Sequence, residues 1–411
     1  MMPGALGGVT VVELSRAVEG AYCARLLADA GAEVVKIESP HALDASRRLG
    51  PFPRDDLEPE HSGLHAYLNA NKLGITLDVI AGAGESILAG LLAKCDVLVT
   101  DLPLPELERF GLTYEARREA TPKLIACAVT PFGMTGPNRD YRGDDIVALS
   151  VGGLTAATPG FPDFVVSRES EGPLRPETHA AGFIAGAAAA VAVLEALFAR
   201  LMDGVGRQID VSVQEAVAST MIRDIASYSY AGIVSGRRTE AEQSGTAYAP
   251  NIYLPCKDGM IVLITPSEDA WRKLVELMGH PEWAGKPEFQ DSAARARNID
   301  ELVPHLTRWT TTLTGAEITR ITQANGLPCA HVHSIAEMAG SAHVRERDAL
   351  VELDLGSSGA RMPGPPFRIE GLFGARRRAA PRKGEHNRQI LCDWLGYSTA
   401  EVQRLRAAGA I

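Results

Sequence analysis

Short runs of β-branched and aliphatic residues alternate with helical segments through the first 130 residues. Two such runs, at 9–14 and 33–37, are separated by an amphipathic segment over 19–30. Further runs follow at 75–77, 96–99 and 124–129, with segments of helical composition before the last two. Strands that alternate with helices at this spacing join in parallel. The sequence therefore predicts an α/β chain with a Rossmann-like parallel sheet that has helices on both faces.

The chain of 411 residues is long enough for more than one domain. A strand at 209–213 and a helix at 214–229 continue the sheet pattern, and the polar, glycine-rich stretch 232–246 marks a linker. The strands and helices that follow predict a smaller α+β domain. We predict a large Rossmann-like domain built from both termini, residues 1–225 and 330–411, and a small α+β domain over 226–329.

Composition limits the possible partners and the compartment. A net charge of −10 argues against a nucleic-acid partner, and six widely spaced cysteines indicate reduced thiols. Residues 1–14 lack the basic segment of a signal peptide. The uncharged run 180–194 is too short for a membrane span and fits a core helix in which Gly182 and Gly186 allow close helix packing. We expect a cytoplasmic protein without a membrane segment.

Motifs for nucleotide, metal or hydrolase chemistry are missing or incomplete. Glu38 ends the second strand, where a dinucleotide ribose would be bound, but the turn from Ser15 to Gly20 holds one glycine, and Glu19 would repel a pyrophosphate. His61 and His65 lack a third ligand at metal-binding spacing. The sequence therefore predicts no metal site and no tightly bound cofactor.

Several short sequence blocks follow one another in a fixed order over nearly the whole chain. They are the Ser15-Arg16-Ala17 turn with Gly20, the Asn71-Lys72 pair, Gly133 with Gly136-Pro137, Lys257-Asp258-Gly259, Pro363 with Pro365, and Gly384-Glu385-His386-Asn387. In this order they resemble the family III CoA-transferases, which include formyl-CoA transferase, carnitine CoA-transferase and α-methylacyl-CoA racemase. The resemblance implies a CoA thioester substrate and an interlocked, ring-like dimer.

The resemblance also implies a catalytic aspartate, and this chain lacks it. In the transferases that carboxylate takes the acyl group as a mixed anhydride and then CoA as a thioester. Counted back from Arg200 and the Gly204-Val205-Gly206 turn, the aspartate position is occupied by Gly182. We therefore predict no catalytic residue at this position. Glu177, five residues earlier, is the fallback nucleophile.

Further departures fall where the resemblance implies contacts to CoA. Ser39 replaces an arginine, and Leu102 and Pro103 replace an aromatic residue and a basic residue. The positions that the resemblance implies for the CoA pocket are Ala17, Val18, Asn71, Lys72 and Thr130. Lys72 is interpreted either as a phosphate contact or as a surface lysine.

These features support three hypotheses. In the first, the chain is the non-catalytic subunit of a heteromeric CoA-transferase, and a related aspartate-containing subunit completes a heterodimer or heterotetramer. The resemblance supplies a precedent in succinyl-CoA:benzylsuccinate CoA-transferase, one subunit of which lacks the aspartate, and it implies succinyl-CoA and an aryl-substituted succinate as substrates. In the second, an active homodimeric transferase or racemase uses another catalytic group. In the third, the chain binds CoA esters as a regulator without turnover.

Overall fold

The computed structural model describes residues 4–53, 56–80, 82–158, 173–176, 178–232, 234, 250–354, 359–370 and 378–411. The chain divides into two compact units. The first combines Met1–Leu154, Arg175–Ile222 and Glu346–Ile411, and the second combines Thr155–Leu174 and Arg223–Arg345. The first unit thus contains both termini, and the second extends to Arg345, beyond the predicted 226–329.

The first unit contains a parallel sheet of six strands, which confirms the predicted fold class. The strands are β1 (Thr10–Leu14), β2 (Glu33–Glu38), β3 (Leu73–Thr76), β4 (Val97–Thr100), β5 (Ile125–Thr130) and β6 (Gln208–Ser212). Their order is β3-β2-β1-β4-β5-β6, the order of a Rossmann-type sheet. All residues of β3, β4 and β5 are buried, as expected for a sheet covered on both faces.

Ten α-helices lie between residues 18 and 231 of the described chain, and those over 154–157 and 222–231 belong mainly to the second unit. They are α1 (Val18–Asp29), α2 (Gly63–Asn69), α3 (Gly82–Leu92), α4 (Leu104–Arg109), α5 (Tyr114–Arg117), α6 (Asp145–Val151), α7 (Leu154–Ala157), α8 (Ala180–Asp203), α9 (Val213–Ser219) and α10 (Ile222–Ala231). The single helix predicted over 214–229 is therefore two helices, with a turn at Thr220 and Met221. Most of the predicted linker 232–246 lies outside the described residues.

The second unit contains a three-stranded antiparallel sheet, in agreement with the predicted α+β architecture. Its strands are β7 (Asn251–Cys256), β8 (Gly259–Ile264) and β9 (Cys329–His331). The helices are α11 (Glu268–Leu277), α12 (Ser292–Arg297), α13 (Ile299–Thr310), α14 (Gly315–Ala324), α15 (Ile335–Gly340) and α16 (Ala342–Glu346). The first unit then resumes with the hairpin β10 (Leu350–Asp354) and β11 (Gly359–Pro363), a π-helical stretch Gln389–Trp394, and α17 (Thr399–Ala407).

Helices α1 and α8 approach each other closely at two glycines. A β-carbon on Gly186 would lie 2.6 Å from the backbone oxygen of Glu19 and 3.1 Å from Cβ of Tyr22. Gly182, one turn earlier, is buried against the same helix. Because Gly186 lacks a side chain, the two backbones meet there at a distance that a β-carbon would prevent. The two glycines therefore form the close helix contact predicted from their spacing.

Helix α8 is the one helix among the described residues that is long and apolar enough to cross a membrane. Half of its most apolar window is buried inside the structure. Ala181, Ala185 and Ala189 have no exposed surface. A core helix of a globular domain has this composition and burial, so the folded unit accounts for its apolar character.

The first prediction concerns Gly186. Replacing it with alanine should lower the free energy of unfolding by about 1–3 kcal/mol, because the added methyl group must push α1 away from α8. Urea denaturation measures the change. Gly82→Ala is the matched control, since a β-carbon at the first residue of α3 meets no heavy atom within 4 Å. Equal stability of the two variants would contradict the close packing described here.

Candidate active site

The candidate site lies at the carboxyl ends of β1 and β4. In the sheet, β2 lies on one side of β1 and β4 lies on the other. The chain therefore continues from β1 toward β2 in one direction and from β4 toward β5 in the opposite direction. In sheets of this type, ligands bind in the crevice that such a reversal opens. Residues Ser15 to Ala17 lead from β1 into α1, and Asp101 directly follows β4. Both segments therefore lie at the edge where a ligand is expected.

Asp101 fixes the turn that leads into α1. Its Oδ1 accepts a hydrogen bond from the backbone N–H of Arg16, and its Oδ2 accepts one from that of Ala17, both at 2.8 Å. Burial raises the pKa of Asp101 to about 6, although these two hydrogen bonds favour the ionised form. Asp101 thus fixes the turn that precedes the helix carrying Val18 and Glu19.

Gly182 lies in the first turn of α8, beside carboxylates from two other helices. Its backbone N–H donates to Oδ1 of Asp145 at 3.2 Å, and Asp145 is in the first turn of α6. A β-carbon on residue 182 would lie 3.0 Å from Cβ of Val18 and 3.3 Å from Oε2 of Glu19. The carboxylate of Glu19 therefore lies next to the space where a side chain on residue 182 would begin.

The environment of Glu19 favours the protonated acid. Burial raises its pKa to about 8, and the negative charges of Asp101 and Asp145 contribute to the increase. The backbone N–H of Glu19 itself acts in the opposite direction. Glu19 is half-buried, so its carboxyl group retains some contact with the surface. The first turns of α1, α6 and α8 contribute Glu19, Asp145 and Gly182 to this place.

Asp145 has an unused acceptor at the same place. Its Oδ2 is buried and has no hydrogen-bond partner among the described residues. Buried polar atoms are rarely left without a partner in folded proteins. A donor from a bound molecule or a subunit partner would satisfy this atom.

Three of the predicted pocket residues lie at the carboxyl ends of the sheet strands. Ala17 is exposed and precedes α1, and Val18 is buried beside Gly182. Thr130 ends β5, where its buried Oγ1 has no hydrogen-bond partner among the described residues. Ala17 and Val18 lie beside the cluster formed by Glu19, Asp101 and Asp145, and Thr130 lies at the same edge of the sheet.

Asn71 and Lys72 are occupied by contacts within the protein. Asn71 adopts a positive φ of 67°, its side-chain amide donates to Asp29 at 2.6 Å, and its Oδ1 accepts from the N–H of Arg378 at 2.8 Å. Lys72 is fully buried: its Nζ lies 2.6 Å from Oε2 of Glu13 and donates to the backbone oxygen of Ala21 at 2.8 Å. With a third partner in Asn69, the ammonium group has no free donor for a phosphate.

The departures from the CoA-contact pattern have varied surroundings. Leu102 is buried in the core, whereas Pro103 is exposed ahead of α4. Ser39 is exposed, and its hydroxyl accepts from the N–H of His41. Among the described residues, these three positions therefore present no basic side chain to a CoA phosphate. Glu177, the predicted fallback nucleophile, lies outside the described residues.

An apolar pocket of about 400 Å³ is lined in part by residues near Glu19 on α1 and Gly182 on α8. It is lined by residues that include Tyr22, Leu64, Tyr67, Phe183, Met362 and Pro363. The rings of Tyr22 and Phe183 pack edge to face, with their centroids 4.8 Å apart. Tyr22 lies about one helical turn after Glu19 on α1, and Phe183 directly follows Gly182 on α8. The pocket can therefore receive an apolar group from a molecule that reacts near Glu19.

A group of possible metal ligands lies in the second unit. The ligand atoms of Cys256, Asp258 and His331 are within 4.8 Å of one another. Oδ1 of Asp258 already accepts hydrogen bonds from Sγ of Cys256 at 3.3 Å and from the N–H of Gly315 at 2.7 Å. These contacts explain the proximity of Asp258 and Cys256 as part of the turn between β7 and β8. His61 and His65 have separate partners: His61 forms a hydrogen bond with Asp56, and His65 forms one with Ser46.

Glu19, Asp101 and Asp145 are site residues that the sequence did not predict. In the sequence, Glu19 indicates only a group that would repel a pyrophosphate, and no local pattern singles out Asp101 or Asp145. The available signal was an acidic residue within the turn from Ser15 to Gly20 of a chain whose expected aspartate is absent. The contact itself connects residues 19 and 182, and only the packing of α1 on α8 reveals it.

Comparison with known proteins identifies relatives along the whole chain. The family model of CoA-transferase family III matches residues 6–387. A formyl-CoA:oxalate CoA-transferase of Afipia carboxidovorans is 30% identical, with 100% of this chain and 98% of the relative covered. The succinyl-CoA–L-malate CoA-transferase beta subunit of Chloroflexus aurantiacus is 30% identical, with 99% and 98% covered. A solved CaiB/BaiF family protein from Brucella suis has a TM-score of 0.83 at 26% identity, covering 96% of this chain and 100% of that one.

The second prediction concerns the pH dependence of stability. The ordinary pKa of a glutamate, 4.5, is raised to about 8 at Glu19, so the folded protein holds a proton that the unfolded chain has lost between these values. The stabilising contribution of Glu19 is complete below pH 4.5 and is lost as the pH rises through about 8. Glu19→Gln removes this titration, so its stability relative to the wild type should improve as the pH rises from about 5 to about 9.

Thermal unfolding across this pH range measures the difference between the two proteins. Glu115→Gln is the matched control, because Glu115 is an exposed glutamate in the first turn of another helix, α5. This control should follow the wild type at every pH. A constant difference between Glu19→Gln and the wild type would show that Glu19 titrates normally.

Proposed function

Because the chain belongs to CoA-transferase family III, we propose that it acts in the transfer of CoA from an acyl-CoA donor to a free carboxylic acid. Relatives named as formyl-CoA and succinyl-CoA transferases support this reaction, and we take succinyl-CoA as the donor. The site is the cluster of three carboxyl side chains, Glu19, Asp101 and Asp145, around Gly182. Coenzyme A enters as part of the substrate, and we propose no tightly bound cofactor. A cytoplasmic location fits this reaction.

The first form of the proposal assigns the nucleophile to another subunit. Gly182 carries no side chain, so position 182 of this chain cannot attack a thioester. A related chain with aspartate at that position would supply the carboxylate, and this chain would complete the assembly and the acceptor pocket. The relative named as a beta subunit supports this arrangement, since its name describes one kind of subunit of a CoA-transferase.

Exposed apolar side chains are consistent with such a partner. Phe198, Leu201 and Met202 lie near the end of α8 and are 69%, 80% and 79% exposed. Large apolar groups clustered on a surface are typical of a subunit interface. A dimer that covers the end of α8 would remove these side chains from water.

The second form of the proposal keeps the chemistry in this chain. One observation favours it: Oε2 of Glu19 lies 3.3 Å from the β-carbon position of residue 182. A carboxylate is therefore present next to the place from which the aspartate would extend. In this form a homodimer would be active, and the acyl group would be carried by a residue other than 182.

The apolar pocket suggests the class of acceptor acid. Its aromatic lining from Tyr22, Tyr67 and Phe183 suits a carboxylic acid with an aryl or branched alkyl group. An aryl-substituted succinate, implied by the family resemblance, would place its ring among these side chains. The carboxylate of the acceptor acid would then lie near Glu19.

The third prediction tests which subunits are required. CoA transfer from succinyl-CoA to a panel of acids is measured for the chain alone and for the chain co-expressed with an aspartate-containing relative. The first form predicts transfer only in the co-expressed complex. The second form predicts transfer by the chain alone. Binding of CoA esters with no transfer in either preparation would contradict both forms and favour a regulatory role.

The fourth prediction tests the pocket in whichever preparation is active. Phe183→Ala should raise KM for an aryl-substituted acid by about tenfold or more, because a buried aromatic contact is lost. KM for succinyl-CoA should change little. Phe367→Ala, which removes an exposed ring of the same type, is the control. Equal effects on small and aryl-substituted acids would show that the pocket does not bind the acceptor.

A further inference from the structure

We propose that Glu19 is the nucleophile of this chain and performs from α1 the reaction for which Gly182 on α8 has no side chain. The inference rests on the proposed CoA-transfer function and develops its second form. Its geometric basis is the 3.3 Å separation between Oε2 of Glu19 and the β-carbon position of residue 182. The absence of a side chain at 182 leaves room for this carboxylate, so the two positions are complementary.

The neighbouring contacts hold Glu19 in this place. Asp101 binds the N–H groups of Arg16 and Ala17 and so fixes the turn just before it. The backbone oxygen of Glu19 lies at the site of close approach to Gly186, which limits movement of α1 relative to α8. Glu19 is half-buried as a residue, so it is partly shielded from bulk water without being sealed in the core. A nucleophile needs both a fixed position and access to its substrate.

The chemistry requires only carboxylates and thiolates. A carboxylate oxygen of Glu19 attacks the thioester carbonyl, a C–O bond forms, the C–S bond breaks, and CoA leaves as the thiolate. The thiolate then attacks the Glu19 carbonyl of the mixed anhydride, which releases the donor acid as its carboxylate and leaves a Glu19–CoA thioester. The acceptor carboxylate attacks this thioester, and the released thiolate attacks the acceptor acyl group. The new acyl-CoA departs and Glu19 is again a carboxylate, with no net gain of protons or electrons.

The electrostatic setting agrees with this assignment. Burial and the nearby Asp101 and Asp145 raise the pKa of Glu19 to about 8, so only a minor fraction is ionised at neutral pH. A nucleophile that acts as the anion then becomes more active as the pH rises toward that value. Glu115, exposed on α5, provides a glutamate without this surrounding.

The proposal can be tested by mapping the covalent intermediate. After brief incubation of the full chain with succinyl-CoA, trypsin releases residues 17–25, in which Glu19 is the only carboxylate side chain. We expect CoA linked to this peptide with loss of water. Cys23 is in the same peptide, but a mixed disulfide at Cys23 would lose two hydrogens and disappear on treatment with a reductant. Attachment through Glu177 would instead appear on residues 169–200, which end at Arg200.

Three variants complete the test. Glu19→Gln should abolish the adduct and lower kcat of the chain alone by at least about a thousandfold, whereas Glu115→Gln should leave both unchanged. The double variant Glu19→Ala with Gly182→Asp returns the carboxylate to α8. Its β-carbon needs a shift of a few tenths of an ångström at Val18, which lies 3.0 Å away, and the contact with Glu19 is gone. We expect the adduct to move from residues 17–25 to residues 169–200.

The outcomes separate this inference from the general function. Transfer by the chain alone that survives Glu19→Gln, with the adduct elsewhere, would overturn the role of Glu19 and retain the transferase. Transfer only with an aspartate-containing partner, and no adduct on residues 17–25, would overturn it in favour of the non-catalytic subunit. Failure of every preparation to transfer CoA would reject the proposed function and the nucleophile together.

Discussion

The close contact of α1 with α8 is the constraint on which the site depends. Gly186 lets the backbone of α1 approach to a distance that a methyl group would block, and Gly182 extends this contact into the site. The same approach brings the carboxylate of Glu19 to the position left open on α8. Any residue that separated the helices would weaken the core and displace this carboxylate at once. Stability and the proposed chemistry are thus coupled through two glycines.

A buried ionic network holds the other side of the site in place. Glu13 in β1 accepts a hydrogen bond from Lys36 at 3.0 Å and lies 2.6 Å from Nζ of Lys72, and Ser15 donates to it at 2.5 Å. Burial opposes the charge on Glu13, but Lys36 and Lys72 outweigh it and lower the pKa of Glu13 below its ordinary value. The network anchors the end of β1, where the turn toward Glu19 begins. Lys72 is therefore held within the protein by Glu13, Ala21 and Asn69.

The fold could be predicted from local pattern, and the site only in part. The alternation of apolar runs and helices specifies a parallel sheet because each element has its own periodicity, and the sheet is found as expected. The helix predicted over 214–229 is interrupted at Thr220 and Met221. This break could not be predicted, because no glycine or proline marks it. Lys72 shows the limit for charged residues, because its burial depends on Glu13, 59 positions away. Glu19 shows the same limit for function, because its neighbour in space, Gly182, is distant in the sequence.

The central claim is that a carboxylate on α1 has taken the place of one on α8. A crystal structure of the chain flash-cooled during turnover with succinyl-CoA tests it most directly. The account predicts continuous electron density from the Glu19 side chain to CoA or a succinyl group, with α1 and α8 still in contact at Gly186. Density that joins CoA to another side chain, or a Glu19 carboxyl group turned away from Gly182 with intact CoA ester beside it, would contradict the account.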